Sequence, residues 1–212
     1  MGPAIISVQV GVPRIVTRNG QEVLTGIFKS PVEKRVWMRK LDLDGDQQAD
    51  LTVHGGPNKA VYAYPSEHYP FWKEELPEVD LPWGSFGENL TTSGLNESTV
   101  HIGDRFAIGT AEVVVTQPRL PCFKLNLKFD RDDMVKLFLA SHRTGFYFRV
   151  LQEGEVGAGD EIISVHQDEN RVSVLDTMRL YLRESDSSEL RDRALKVEYL
   201  SPSWRKEFSE QV

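Results

Sequence analysis

Apolar and polar residues alternate from Ala4 to Val10. Ile6, Val8 and Val10 fall on one side, Ser7 and Gln9 on the other. That period of two predicts a half-buried strand, closed by Gly11 and Pro13. Asn19-Gly20 predicts a hairpin turn, with the return strand beginning at Val23-Leu24. Pro31 lacks the N–H that a central strand needs, which puts Lys29 and Ser30 at a bend or sheet edge. Short strands are also predicted at 36–38, 60–64, 146–151 and 161–166. Residues 100–106 and 156–162 each read as strand, Gly-Asp turn, strand.

Helical periodicity is scarcer. Ser66 caps a predicted short helix running through Trp72 and Leu76, limited or kinked by Pro70. Asp130, with Asp133 three residues on, predicts a capped helix with Met134, Leu137 and Phe138 as its core stripe. After a charged linker at 167–171 come three short helices. Val174, Met178 and Tyr181 mark the first. Asp186 with Glu189 caps the second, which carries Leu190, Ala194 and Val197. Ser201-Pro202 opens the third, with Trp204 and Phe208. Helices this short are unstable alone and must pack together. The expected architecture is mainly β with some α: a barrel-like β domain over 1–166, then a small three-helix bundle over 167–212.

Composition narrows the classes. A chain of 212 residues, 40% hydrophobic and 27% charged, is an ordinary globular mix. No apolar run approaches the roughly 18 residues of a membrane span, and the N-terminus lacks the pattern of a secretory signal. The single cysteine excludes an internal disulfide and fits a reducing compartment, so a cytoplasmic location is expected. Net charge −7 argues against a nucleic-acid polymer as partner. The charge is uneven, however. Residues 1–40 hold seven Lys and Arg against two Glu, a local +5 that leaves −12 elsewhere. Such a patch suits one small anionic ligand, or simply a solvated strand surface.

The sharpest local feature is Gln117-Pro118-Arg119-Leu120-Pro121-Cys122-Phe123-Lys124-Leu125. Two prolines end the preceding apolar run and predict a rigid loop. Arg119 and Lys124 favour the thiolate of Cys122, the form that attacks electrophiles or binds metal. A small buried hydrophobe is the plainer reading of a lone cysteine. His54, at the end of a predicted strand before Gly55-Gly56, is the best placed of the five histidines. Asn89, in Phe86-Gly87-Glu88-Asn89-Leu90, has an amide suited to a ligand. The aspartates of 42–50 lack calcium-loop spacing and read as an acidic turn. Signatures for nucleotide phosphates, dinucleotides, zinc hydrolases and serine hydrolases are absent.

Four stretches together resemble the MOSC domain family, in its YiiM-type branch: Leu51-Thr52-Val53-His54-Gly55-Gly56-Pro57, Tyr64-Pro65-Ser66-Glu67-His68-Tyr69, Phe86 to Leu90, and the run ending at Leu125. The tail with Leu200-Ser201-Pro202-Ser203-Trp204 resembles the three-helix domain of that branch. The resemblance implies a β-barrel that binds the molybdenum cofactor, a pterin dithiolene with a terminal phosphate. Cys122 would be the metal ligand and, with His54, the catalytic pair. Lys29 and Ser30 would meet the phosphate, with Thr25, His54, Gly55, Asn89, Arg119 and Arg149 as further pocket residues. The implied activity is reduction of N-hydroxylated compounds, including N-hydroxylated purines such as 6-hydroxylaminopurine, with electrons from a separate reductase. A cofactor carrier without turnover and a Cys122 persulfide carrier are the alternatives.

Overall fold

The structure is a computed structural model describing residues 2–49 and 55–210. In chain order the strands of the first part are β1 (Ala4–Val10), β2 (Arg14–Arg18), β3 (Gln21–Thr25), β4 (Ser30–Val32), β5 (Val36–Met38) and β6 (Val61–Pro65). Helix α1 (Tyr69–Glu75) precedes β7 (Leu90–Ser93), β8 (Arg105–Ile108) and β9 (Ala111–Pro118). Then come α2 (Phe123–Phe129), α3 (Met134–Ala140), β10 (Phe146–Gln152), β11 (Gly154–Val156) and β12 (Ile162–His166). Helices α4 (Val174–Tyr181), α5 (Ser188–Lys196) and α6 (Pro202–Glu210) complete the chain.

Eight strands form one sheet in the order β12-β8-β9-β10-β6-β7-β1-β4. All neighbours are antiparallel except β6 and β7. The two-stranded ladders β2-β3 and β5-β11 stand apart from it. The expected mainly-β architecture with a helical tail is present, but a continuous closed barrel is not. The start of β1 instead meets the approach to β12 through isolated backbone bonds, Ile5 N to Asp160 O at 2.9 Å and Ile162 N to Pro3 O at 2.8 Å.

Strand β1 departs from simple alternation. A register shift between Ile5 and Ser7 in its pairing with β7 breaks the pleat. Ile5 and Val8 are buried, Ile6 turns outward at 39% exposure, and Gln9 is fully buried. Strand β6 is buried at every position. Its alternate side chains feed two cores: Val61 and Ala63 the first, Tyr62 and Tyr64 the second. The second core lies under α1, α2 and α3, and its aromatic centre is Tyr64, Trp72, Phe86 and Phe138.

Three helix starts differ from expectation. Ser66 begins a one-turn 3-10 segment, Ser66–His68, and α1 follows with Pro70 in its first turn, where a missing N–H costs nothing. Asp130 closes α2 in the left-handed conformation, φ 51°, instead of opening α3, whose first flanking residue is Asp133. The expected loop is present over residues 119–122, and α2, which the sequence reading did not include, follows it directly. In the tail, the Ser187 Oγ accepts from Leu190 N at 3.1 Å and so caps α5 in place of Asp186.

The tail shares the first core. Val174, Met178, Ala194, Trp204 and Phe208 pack continuously with the sheet's apolar side chains. Backbone bonds join it to the segment before β8 and to β9: Val174 N to Val100 O at 2.9 Å, Ile102 N to Val172 O at 2.9 Å, and Ser201 N to Thr116 O on β9 at 3.3 Å.

Candidate cofactor pocket

One cavity of about 100 Å³ gathers most of the polar residues singled out by the sequence. Its walls come from four places. The end of β3 and the turn after it supply Thr25, Gly26 and Ile27, and the following segment supplies Lys29. Residues 46–49 form a second wall. Lys59, Tyr62, Gly87 and Asn89 form a third, and Arg119, Cys122, Lys124 and Tyr147 the fourth. Gly26 lets the first two walls approach: a Cβ there would lie 2.6 Å from Gln47 O.

The end of β9 delivers the last wall. Its pairing with β10 persists to Pro118 opposite Phe146. Past that point neither proline supplies an N–H for a further ladder, and the chain turns into α2 with Cys122 as the extended residue before the first turn. The thiol is free and half-buried on the cavity wall. Arg119 is only 6% exposed, and its guanidinium lies against the rings of Tyr62 and Phe138, 5.0 and 5.2 Å from their centroids. Its Nη1 is buried with no hydrogen-bond partner. A guanidinium nitrogen in that state is costly unless something in the cavity accepts from it.

Lys29 also faces the cavity, but it is already engaged. Its ammonium pairs with Asp46 Oδ1. Burial lowers the Lys29 pKa and outweighs the opposing pull of Asp46. Asp46 accepts two further bonds, from Gly11 N at 2.9 Å and Asn89 Nδ2 at 2.8 Å. Asn89 is equally committed: its Oδ1 accepts from Tyr62 N at 3.1 Å, and Nδ2 also reaches Gln9 O at 3.4 Å. Burial likewise lowers the pKa of Lys59 and raises those of Tyr62 and Tyr147, which therefore stay neutral phenols.

Of the residues expected at the site, Thr25, Lys29, Asn89, Arg119 and Cys122 line this cavity. His54 lies outside the described residues. Gly55 is half-buried and not on the cavity wall. Ser30 is exposed at the start of edge strand β4 and is not on the cavity wall. Arg149 is exposed on β10, between buried Phe148 and Val150, and is not on the cavity wall. Sequence reasoning missed Asp46, Lys59, Tyr62 and Tyr147. Asp46 was hidden in an acidic run. The two tyrosines sit in strands whose alternation marks a face without saying what it lines.

Four cations, one carboxylate and one thiol thus converge on a small cavity, an arrangement suited to an anionic ligand that carries a soft metal. The comparisons agree with that class. Residues 50–163 match the MOSC domain family, whose domains are associated with the molybdenum cofactor. The chain belongs to this family. Residues 172–212 match the YiiM-like three-α-helix domain. Protein YflK of Bacillus subtilis is 42% identical over 97% of this chain and 92% of its own length. A reductase of Gibberella moniliformis is 35% identical over 76% of this chain but only 29% of its own length. The crystal structure of YiiM from Geobacillus stearothermophilus superimposes with a TM-score of 0.82 at 35% identity, covering 98% of both chains. Among the described residues, no helix is long and apolar enough to cross a membrane.

Proposed function

We propose that the cavity binds the molybdenum cofactor, with the Cys122 thiolate as a metal ligand, and that the chain reduces N-hydroxylated compounds, N-hydroxylated purines such as 6-hydroxylaminopurine among them. The observation that carries this reading is the convergence of a half-buried thiol and the unpartnered Arg119 Nη1 on one cationic cavity. A thiolate is a soft ligand, and Arg119, Lys59 and Lys124 supply the positive potential that an anionic pterin needs. When bound, the cofactor supplies oxygen-atom removal: an N-hydroxyl group, two electrons and two protons give the parent N–H compound and water.

The chain's own residues bind and enclose. Arg119 lies against the rings of Tyr62 and Phe138 on the cavity wall and would donate to a bound anion. Tyr62 and Tyr147 stand 5.3 Å apart between ring centroids, and both line the cavity with Cys122. The relative named as a reductase supports an oxidoreductase, and electrons would come from a separate reductase protein.

Elemental mass spectrometry tests the first half. Protein made in a cofactor-producing host should hold near-stoichiometric molybdenum, and Cys122→Ala should lose most of it at unchanged secondary structure. Wild-type protein without molybdenum, from a host shown to supply the cofactor, would refute the reading. Conversion of 6-hydroxylaminopurine to adenine by the loaded protein with a chemical reductant tests the second half, and no turnover would remove the reductase assignment.

A further inference from the structure

The cavity carries its own anion. Among the described residues, Asp46 is the only carboxylate on a wall that also holds Lys29, Lys59, Arg119 and Lys124. It is 4% exposed and takes three donors: Gly11 N, Lys29 Nζ and Asn89 Nδ2. We propose that Asp46 is a built-in counter-ion: it neutralises Lys29 in the empty cavity and yields that lysine to the anionic group of an arriving ligand. This rests on the reading of the cavity as an anion site, and it assigns Asp46 a positioning role.

The physical case is one of competition. A buried ammonium without a partner is strongly disfavoured, so Lys29 needs a counter-ion before any ligand arrives. Asp46 supplies it and, through Asn89 and Gly11, is itself held in place. The carboxylate therefore stays on the wall when an anion enters. It then repels that anion, while the anion offers Lys29 a second partner. Asp46 thus preserves the lysine's geometry and weakens anion binding at the same time. With Gly11 N and Asn89 Nδ2 still donating to it, the carboxylate keeps two bonds after losing Lys29.

Inorganic phosphate is the probe, titrated calorimetrically at pH 6 to favour protonated Lys29, into wild type, Asp46→Asn, Lys29→Met and the double variant. Removing a unit charge several ångströms from the anion should tighten phosphate binding about tenfold in Asp46→Asn. Lys29→Met should weaken it, and in the double variant the Asp46→Asn change should restore only part of its gain, because the lost repulsion remains while the competition for the lysine is gone. Equal or weaker binding by Asp46→Asn, with Lys29→Met still impaired, overturns the counter-ion role and leaves the anion site standing. If no protein binds phosphate, or Lys29→Met is unaffected, the anion reading falls and takes this inference with it. The Asp46→Asn change sets a new amide N–H against that of Asn89, so this variant is open to misfolding. The wild type then decides. The ¹³C resonance of the Asp46 carboxylate should move as phosphate saturates the cavity, and a resonance that stays fixed at saturation overturns the proposal.

Discussion

Lys128 is the last-turn lysine of the helix that begins just after Cys122, and it ties that helix to the cavity wall. Its ammonium donates to Ile27 O at 3.1 Å and Gly84 O at 2.5 Å. Burial is the main cause that lowers its pKa from 10.5 to about 8, against the opposing pull of Glu88. Below pH 8 the group is charged in both folded and unfolded chains, and the folded state bears the cost. Between about pH 8 and 10.5 the unfolded chain keeps the proton while the folded chain has released it. Stability therefore rises with pH across that window. A displacement of this size is worth about 3 kcal/mol. Replacing Lys128 with Met removes the titration and leaves other groups common to both proteins. Urea unfolding followed by tryptophan fluorescence, at half-unit steps from pH 7 to 10.5, gives the wild-type minus variant difference. That difference should shift by about 3 kcal/mol in favour of wild type, most of it above pH 8. A difference flat to within about 0.5 kcal/mol would refute the reasoning, because Lys128 would then hold its ordinary affinity for the proton.

Trp72→Ala should cost about 3–5 kcal/mol in chemical denaturation, since it empties the centre of the second core and removes the 2.6 Å bond from Trp72 Nε1 to Tyr64 OH. Gly145→Ala should lower the unfolding midpoint by an amount equivalent to about 2 kcal/mol or more. Its φ is +67°, and an added Cβ would stand 2.4 Å from the Ala63 carbonyl of central strand β6. Ser30→Ala and Arg149→Ala should leave unfolding within about 0.5 kcal/mol of wild type and molybdenum content unchanged, because both side chains are exposed outside the cavity. A metal loss in either variant would contradict their placement.

The sequence exposed the hairpin around Asn19-Gly20 through its turn residues, although of β2 and β3 only Thr25 is buried. It failed where a bulge resets the alternation, as between Ile5 and Ser7. Helix α2 was illegible for a different reason. Phe123, Leu125, Leu127 and Phe129 recur at period two behind a proline, the pattern of a strand, yet the segment is helical with Leu125 and Leu127 buried. At the site, Cys122 and Arg119 stood out because their types are rare or costly next to two prolines. Asp46 did not, since a buried acceptor of three bonds and a solvated turn aspartate have the same local sequence. Ser30 shows the converse: it neighbours Lys29 in the chain, yet it is exposed while Lys29 lines the cavity.

The bond from Ser201 N to Thr116 O places the helical tail two residues before Pro118, on the strand that aims Cys122. The tail and the strand domain therefore do not behave as beads on a string. Cutting the chain at its charged linker would uncover Val100, Ile102 and their neighbours and free the far face of β9. A fragment ending near residue 166 is thus a poor proxy for the whole molecule, and any transplant of this pocket into another scaffold has to carry the three helices with it.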